Sequence, residues 1–428
     1  MDSLKVLIAG AGVGGPATAL WLSRIPGCAV TIVETSPNLR NTGQQIDLRG
    51  QGVVLMKMMG IEKAVRDSLC HEPGTRIIDS RGRSQGYLAA NTSGKGRQSV
   101  TSEFEIMRGD LVNILYEETK DRENVQYIFD CHIESFTQDE GSVDGKVHVV
   151  FSDGKKEDYD ILIGADGVNS ATRRLMLGPS FPDPRVDLGV HVAFFTAPTR
   201  KGDTKDFTIC HIPGGKVIMV RKDKPENVRV YLMTRLGCSA ADEARTLSEQ
   251  KAAMVELFKG AEGWQIDRFL RDLAESPEAD DLYCHHERSV RLPEGMWSRG
   301  RVVLLGDAAN GSGANGWGTT SALIQAYVLS GEIATRWKKS QNSGKVFNFQ
   351  DAAQEFERLI RPIIKDRPSF VPNIMLPGTR LGIWCLHNFF WLFTTLKLDK
   401  LISSLFSSDE EHKLEFKDYF ELRTLYGV

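Results

Sequence analysis

Residues 4–34 read LKVLIAGAGVGGPATALWLSRIPGCAVTIVE, and the order of motifs in them indicates an α/β fold. An apolar run, LKVLIA, precedes three glycines spaced G-x-G-x-x-G, which are Gly10, Gly12 and Gly15. A helical pattern, PATALWLSRI, follows the glycines, and a second apolar run, AVTIVE, follows the helix. Two strands joined through a helix predict a β-α-β unit and therefore a parallel sheet.

The glycine turn between strand and helix has a specific physical use. The first glycine permits a tight turn, the second lets the backbone approach a pyrophosphate, and the third lets helix and strand pack closely. The helix N-terminus offers free N–H groups and a positive dipole end to the phosphates. Glu34 ends the second strand, 19 residues after Gly15. A carboxylate there binds both ribose hydroxyls and repels a 2′-phosphate, so the stretch predicts a site for FAD or NAD rather than NADP.

Two later strands also end in residues that bind ligands. DYDILIGADG (158–167) ends in Asp166-Gly167, and GRVVLLGDAA (300–309) contains Gly306-Asp307. Ligands bind at the carboxyl ends of strands in such sheets, although an Asp-Gly pair often serves only as a turn. With these three motifs in this order, the chain from about residue 4 to about residue 365 resembles the class A, single-component FAD-dependent monooxygenases of the para-hydroxybenzoate hydroxylase fold. It is most similar to their tetracycline-destructase-like and fungal secondary-metabolite branches.

The resemblance implies a fold and a chemistry. The fold is α/β: a Rossmann-like FAD-binding domain with an inserted antiparallel β-sheet substrate domain and a C-terminal helical region. The cofactor is FAD, NAD(P)H is the co-substrate that reduces it, and O2 then gives a flavin C4a-hydroperoxide. That species would hydroxylate or epoxidise a small, hydrophobic, ring-bearing natural product of secondary metabolism.

The resemblance also implies roles for individual residues. Glu34 would bind the adenosine ribose, Arg108 the FAD chain, and Asp307 the ribityl and pyrophosphate region. The N–H groups of Gly318 and Thr319 would stabilise negative charge on the flavin pyrimidine ring. Asp166 would serve both FAD and NAD(P)H, and Asp47 matches a segment beneath the isoalloxazine or lies in an exposed loop. The expected cofactor-binding set is Gly10, Gly12, Gly15, Glu34, Asp47, Arg108, Asp166, Asp307, Gly318 and Thr319.

The loop after Gly306-Asp307 departs from the family pattern. Relatives commonly have His or Tyr after G-D-A-A and then a proline, whereas this chain has Asn310, lacks the proline and is one residue shorter. Glycines at 311, 313, 316 and 318 make the loop more mobile or reshape it. Trp317 would cap a pocket or belong to the core. The chemistry is centred on the flavin, so no catalytic residue is assigned; the candidates are Asn310, Trp317 and Arg221.

The pattern changes near residue 180, where several strand-like runs follow one another and predict an antiparallel layer: VHVAFFTAP (190–198), DFTICHI (206–212), GKVIMVR (215–221) and VRVYLMTRL (228–236). The expected domains are an FAD-binding domain (1–175 with 300–370), a β-sheet substrate domain (176–299) and a C-terminal helical segment (371–428). For each polar candidate over the substrate, a surface or structural role is the favoured interpretation: His191, His211, Arg221 and Arg235.

Composition excludes some classes of protein. The chain has 428 residues and a formal charge of −3, which argues against a nucleic-acid partner. Seven dispersed cysteines without a CxxC pair predict buried free thiols in a reducing compartment. An apolar strand begins almost at Met1 and leaves no room for a signal peptide, so we expect a cytoplasmic protein. On a strand, His285 and His286 point to opposite faces, and no metal is predicted.

Residues 381–398, LGIWCLHNFFWLFTTLKL, form a strongly apolar segment near the C-terminus. Polar residues interrupt this segment. Its longest apolar stretch is therefore shorter than the roughly 20 apolar residues that span a bilayer. A packed C-terminal helix is expected, and the alternatives are a weak membrane-surface contact, a spanning helix or a partner interface.

Three functions remain open from the sequence. The first is the monooxygenase described above. The second is an FAD-dependent oxidase, dehydrogenase or cyclisation catalyst on a similar substrate without net oxygen insertion. The third is a flavoprotein whose role is interaction, at a membrane through residues 381–398.

Overall fold

The structure is a computed structural model of the chain. The residues that it describes are 3–40, 43–70, 72–90, 104–139, 141–142, 144–222, 224–235, 239–311, 313, 316–365, 375–396 and 417–423. Of the expected C-terminal segment 371–428, only 375–396 and 417–423 are therefore described, and residues 397–398 of the apolar segment lie outside. Residues 312, 314 and 315 of the altered loop also lie outside the described residues.

In chain order, the strands of the described residues are β1 (Leu4–Ala9), β2 (Cys28–Glu34), β3 (Gln45–Asp47), β4 (Gly74–Ile78), β5 (Ser84–Ala89), β6 (Glu105–Met107), β7 (Val125–Phe129), β8 (Ile133–Gln138), β9 (Val147–Phe151), β10 (Lys156–Tyr159), β11 (Ile161–Gly164), β12 (Arg185–Pro198), β13 (Phe207–Ile212), β14 (Lys216–Lys222), β15 (Asn227–Thr234), β16 (Tyr283–Val290), β17 (Ser298–Arg299) and β18 (Val302–Leu304).

The α-helices of the same residues are α1 (Gly14–Leu22), α2 (Gln51–Met59), α3 (Glu62–Asp67), α4 (Arg108–Glu117), α5 (Ala171–Leu177), α6 (Ser239–Glu243), α7 (Leu247–Phe258), α8 (Ile266–Glu275), α9 (Asp307–Asn310), α10 (Gly318–Ser343), α11 (Phe349–Lys365) and α12 (Arg380–Thr395). Short 3-10 helices cover Pro277–Asp281 and Phe420–Leu422.

A six-stranded sheet holds the strands that carry the three motifs. Its order is β17-β18-β11-β1-β2-β7, and every pair except β17–β18 is parallel. Because β18, β11 and β1 are direct neighbours, their carboxyl ends meet at one edge of the sheet. The Gly10 turn, Asp166-Gly167 and Gly306-Asp307 therefore lie side by side, which places the predicted ligand-binding residues together.

The main core packs helices α1 and α10 against this sheet. It contains apolar side chains from both helices and from the central strands, among them Ile8, Leu20, Leu304, Leu323 and Tyr327. The ring of Trp21 on α1 meets Tyr327 on α10 edge to face, with centroids 5.1 Å apart. These contacts place the N-termini of α1 and α10 at the edge where the three motifs meet.

A seven-stranded sheet forms the second layer, in the order β16-β12-β15-β14-β13-β4-β5. All its pairs are antiparallel except β13–β4, which is parallel. Two of its strands, β4 and β5, come from residues 74–89, a stretch that the sequence analysis assigned to the first domain. The division into three domains stays a prediction.

The two faces of this sheet have different neighbours. One face, which we call the outer face, packs Ala193, Phe195 and Ile218 against helices α7 and α8. The opposite face, the inner face, carries Val192, Val217 and several half-buried apolar side chains. Because side chains alternate along a strand, neighbouring residues of β12 and β16 belong to different faces.

Helix α12 covers the end of the sheet at β13 and β5. His387 of α12 lies 3.3 Å from His211 of β13 (Nε2 to Nδ1), and both rings are buried. The other side of the helix exposes Trp384, Phe389 and Trp391. None of the helices in the described part of the chain has the length and apolar character to cross a membrane. The weak membrane contact stays a prediction.

Candidate functional site

In the turn after β1, Gly10 and Gly15 have no room for a side chain. Gly10 has φ +104°, a left-handed conformation that side chains disfavour, and a Cβ there would lie 2.6 Å from the main-chain oxygen of Ala165. A Cβ on Gly15 would collide with the carbonyl oxygen of Gly10. The turn is therefore packed against the loop that follows β11, and α1 begins directly behind it at Gly14.

Glu34 and Arg108 flank this turn. The carboxylate of Glu34 accepts hydrogen bonds from the main-chain N–H groups of Ala11 (2.9 Å) and Ser36 (3.0 Å). The guanidinium of Arg108 lies on the other side, where a Cβ on Gly12 would be 3.6 Å from Nη2. A fixed acid beside the turn suits a ribose, and a cation over the helix N-terminus suits a pyrophosphate.

One cleft joins these groups. Its lining includes Gly10, Gly12, Glu34, Arg108 and Asp166. Five residues of the expected cofactor-binding set thus surround a single open space, and the chemistry around that space fits the adenosine diphosphate part of a dinucleotide.

Asp166 has a structural role in the loop after β11. Its Oδ1 accepts a hydrogen bond from Ser170 (2.5 Å), and its Oδ2 accepts from the main-chain N–H and the hydroxyl of Thr172 (2.9 and 3.0 Å). The carboxylate thereby fixes the N-terminus of α5. A role for Asp166 in FAD or NAD(P)H binding stays a prediction.

Asp307 begins the short helix α9 after β18. Burial raises the pKa of its carboxyl group, the positive charge of Arg108 opposes this rise, and the charge of Glu287 adds to it. The residue is nevertheless solvent-accessible, so its carboxylate can reach a ligand. Arg108 therefore lies within electrostatic reach of both the glycine turn and Asp307.

Helix α10 begins at Gly318, so Gly318 and Thr319 lie in its first turn. The first N–H groups of a helix have no partner inside the helix, so these residues offer donors and a positive dipole end. The strand that carries Asp47 approaches the same point, because the N–H of Arg49 donates to the hydroxyl of Thr320 (3.3 Å). Asp47 itself is paired with Arg49 and is not in an exposed loop.

The three catalytic candidates occupy different places. Asn310 ends α9 and is half-buried. Trp317 is half-buried, packs against the main core and precedes α10. Arg221 lies on the inner face, with its guanidinium 3.7 Å from the ring centroid of Phe207.

Arg221 is the centre of a buried acidic cluster that the sequence analysis missed. Its Nη1 lies 3.2 Å from Glu72 and 3.4 Å from Glu105. Burial raises the pKa of Glu72. Burial also raises the pKa of Glu105, to about 8, because burial and the negative charges of Asp47 and Glu72 together exceed the opposing effect of the positive charge on Arg221. Gln45 donates to Glu105 (2.9 Å) and to the hydroxyl of Tyr231 (3.3 Å, from the main-chain N–H). The cluster thus joins β3 and β6 to the inner face.

The other polar candidates lie elsewhere, and a role over the substrate stays a prediction for each of them. His191 belongs to the outer face, because it alternates with Val192, and it contacts Asp242 of α6 (3.2 Å). Arg235 is exposed in the turn after β15. His211 is buried beneath α12, and that burial, together with His387, lowers its pKa to about 4.

Comparison with known proteins agrees with this arrangement. Residues 3–344 match the family model described as FAD binding domain. The chain is 53% identical to the flavin-dependent monooxygenase eupH of Phoma sp, over 99% of both chains. It is 40% identical to the FAD-dependent monooxygenase asL4 of Sarocladium schorii, over 78% of this chain and 76% of that one. The crystal structure of the tetracycline destructase Tet(51) superposes with a TM-score of 0.73 at 26% identity, over 95% of this chain and 99% of that one. The chain therefore belongs to the FAD binding domain family and is a flavin-dependent monooxygenase with FAD as its cofactor.

Proposed function

We propose that this monooxygenase uses NAD(P)H and O2 to hydroxylate or epoxidise a hydrophobic, ring-bearing natural product. The observation that carries the proposal is an apolar patch on the inner face, formed by Phe194, Ile209, Met219 and Met233. These four side chains are only half-buried, although they lie within a folded layer. Clustered apolar side chains that keep part of their surface accessible suit contact with an apolar ligand.

The patch lies beside the predicted flavin site. His285 and Glu287 of β16, on the same face as Phe194, both act electrostatically on Asp307. The rings of Tyr283 and Tyr231 continue the patch from Phe194, with centroids 6.3 and 5.0 Å away. A flat ring system bound there would lie between the sheet and the start of α9 at Asp307.

Arg221 supplies a polar contact at the edge of this patch. Its side chain keeps 12% of its surface exposed, and Glu72 and Glu105 hold its position. A guanidinium held in this way suits a carbonyl or phenolate oxygen on the substrate. We therefore assign Arg221 to substrate positioning. Tet(51) is named a tetracycline destructase, and a relative named for a four-ring compound supports a ring-bearing substrate here.

The residues that would hold FAD are those that meet at the carboxyl edge of the parallel sheet. The glycine turn and Arg108 would take the pyrophosphate, Glu34 the ribose, Asp307 the ribityl chain, and the N-terminus of α10 the pyrimidine ring. When bound, FAD supplies the redox chemistry and the activation of O2. The protein orients the substrate, places charge and excludes water.

A second candidate follows from the altered loop. The backbone oxygen of Gly311 accepts a hydrogen bond from the N–H of Val290 (2.9 Å), so this loop is attached to β16 without the usual proline. A loop reshaped beside the flavin would favour an FAD-dependent oxidase, dehydrogenase or cyclisation catalyst on a similar substrate.

The test is a screen of ring-bearing metabolites against the purified holoenzyme. Stimulated NAD(P)H consumption, together with one atom of ¹⁸O from ¹⁸O2 in the product, supports the monooxygenation. Turnover of a substrate without incorporated label supports the second candidate. Failure of every ring-bearing compound, with turnover of acyclic substrates, contradicts both.

A further inference from the structure

Two histidines and an aspartate meet on the outer face, away from the substrate patch. His191 on β12 and His286 on β16 are direct cross-strand partners, and their rings stack with centroids 4.1 Å apart. Asp242 of α6 approaches both: its Oδ1 is 3.2 Å from Nε2 of His191, and its Oδ2 is 3.6 Å from Nδ1 of His286. Three side chains from three separate elements thus converge on one point.

These separations are compatible with metal ligation, although the two contacts use different oxygens of Asp242. Zinc binds imidazole nitrogen and carboxylate oxygen at about 2.0–2.2 Å in a tetrahedron, which places neighbouring ligand atoms about 3.3 Å apart. The two measured separations lie on either side of that value. One ligand atom from each of the three side chains lies within 4.8 Å of the other two.

A second carboxylate orients one of the imidazoles. Oδ1 of Asp187 lies 2.7 Å from Nε2 of His286, on the side of the ring opposite Asp242. A metal-ligating histidine typically donates its other ring N–H to a carboxylate, which fixes the ring and its tautomer. In this arrangement Nε2 carries the proton, and Nδ1 is left as the ligand atom facing Asp242.

We propose that His191, Asp242 and His286 bind a divalent transition-metal ion of the zinc type. The set of two imidazoles and one carboxylate suits Zn²⁺ and Co²⁺ better than Mg²⁺ or Ca²⁺, which prefer oxygen ligands. Asp242 is 40% exposed, so an ion can enter from solvent and keep a water as fourth ligand. The ion would hold α6 against β12 and β16. From the sequence no metal was expected, because His285 and His286 are adjacent and point to opposite faces of their strand. The imidazole beside His286 is instead that of His191, on the neighbouring strand β12.

The experiment uses the FAD-loaded protein freed of metal by dialysis against EDTA. Isothermal titration with ZnCl2 should give one site with a Kd of about 10 μM or tighter, and CoCl2 should give the visible bands of tetrahedral Co²⁺. Asp242→Asn changes an exposed side chain, so it should fold normally and weaken Zn²⁺ binding at least tenfold. His286→Asn should do the same.

His148→Asn is the matched control. His148 also lies between two carboxylates, Asp139 (3.0 Å) and Asp158 (2.8 Å), but its side chain is 43% exposed. It belongs to no group of three metal-ligating side chains among the described residues. This variant should keep the stoichiometry and affinity of the wild type. The proposal is overturned if the wild type binds no Zn²⁺, if Asp242→Asn binds it as tightly as the wild type, or if His148→Asn removes the site.

Discussion

Nη1 of Arg173 donates a hydrogen bond to the main-chain oxygen of Ala308, 2.9 Å away, and Nη2 donates to that of Val168 (2.6 Å). Arg173 lies in α5, which follows the loop after β11, and Ala308 lies in α9 after β18. A single buried guanidinium therefore connects two of the three motifs that meet at the sheet edge.

Arg173→Met should loosen this edge. Two main-chain carbonyl oxygens lose a charged donor, and leaving the buried one, that of Ala308, unsatisfied costs about 1–3 kcal/mol. We expect a Tm several degrees lower and weaker FAD binding, measured by thermal denaturation and by flavin fluorescence titration. Arg174→Met is the control, because Arg174 is the exposed neighbour; equal effects of the two changes would contradict the role of Arg173.

The glycines of the first turn should separate folding from cofactor binding. Gly15→Ala places a methyl group against the carbonyl of Gly10, so we expect poor folding. A methyl group at Gly12 meets only the end of the Arg108 side chain, 3.6 Å away, and should leave the fold intact. It would nevertheless keep the backbone from a pyrophosphate, so Gly12→Ala should keep its circular dichroism spectrum but bind FAD about tenfold more weakly or worse. Normal FAD affinity in Gly12→Ala would argue against this turn as the pyrophosphate site.

The buried carboxyl of Glu105 should make stability depend on pH. Its pKa is raised from 4.5 to about 8, so the folded state keeps a proton that the unfolded state loses. This contribution to the free energy of unfolding is therefore present at low pH and lost as the pH rises from about 4.5 to about 8. Glu105→Gln removes the dependence and keeps the polar contacts, so it should gain stability over the wild type at pH 9 by at least about 1 kcal/mol.

Urea denaturation at pH 5, 7 and 9 measures this difference. The gain of Glu105→Gln over the wild type should shrink towards pH 5. Glu123→Gln, at an exposed position, should show no such trend. A difference independent of pH would mean that Glu105 is ionised throughout.

The apolar patch of the inner face should control substrate access. Met219→Trp adds bulk to the half-buried surface and should lower kcat/KM for the substrate at least about tenfold while FAD content stays normal. Leu175→Trp adds the same side chain at an exposed position. Steady-state NAD(P)H oxidation compares them, and an unchanged kcat/KM in Met219→Trp would place the substrate elsewhere.

The sequence predicted the elements whose pattern is local. The glycine turn, Glu34 and the strand ends at Asp166 and Asp307 lie in runs of a dozen residues whose order along the chain already implies a parallel sheet. The structure adds that these strands are neighbours, which brings the motifs together.

Contacts between distant stretches were not predictable in the same way. Glu72 and Glu105 look like ordinary surface acids in the sequence, and only their approach to Arg221 across two sheets makes them a buried cluster. His286 likewise gives no sign of a metal site in the sequence. Only the register of β12 and β16 places His191 beside it. Strands β4 and β5 join the second sheet because β4 pairs in parallel with β13. No local sequence pattern predicts that pairing.

The position of β18 has a consequence for synthesis of the protein on the ribosome. Leu162 of β11 pairs with Val302 of β18, 140 residues later, and β18 brings Asp307 to the site. While the nascent chain is being made, the edge of β11 stays open until the whole second sheet has left the exit tunnel. An open parallel edge is slow to complete and prone to aggregation. Chains released early by a premature stop codon before residue 302 should therefore fail to retain flavin and should depend on chaperones for solubility.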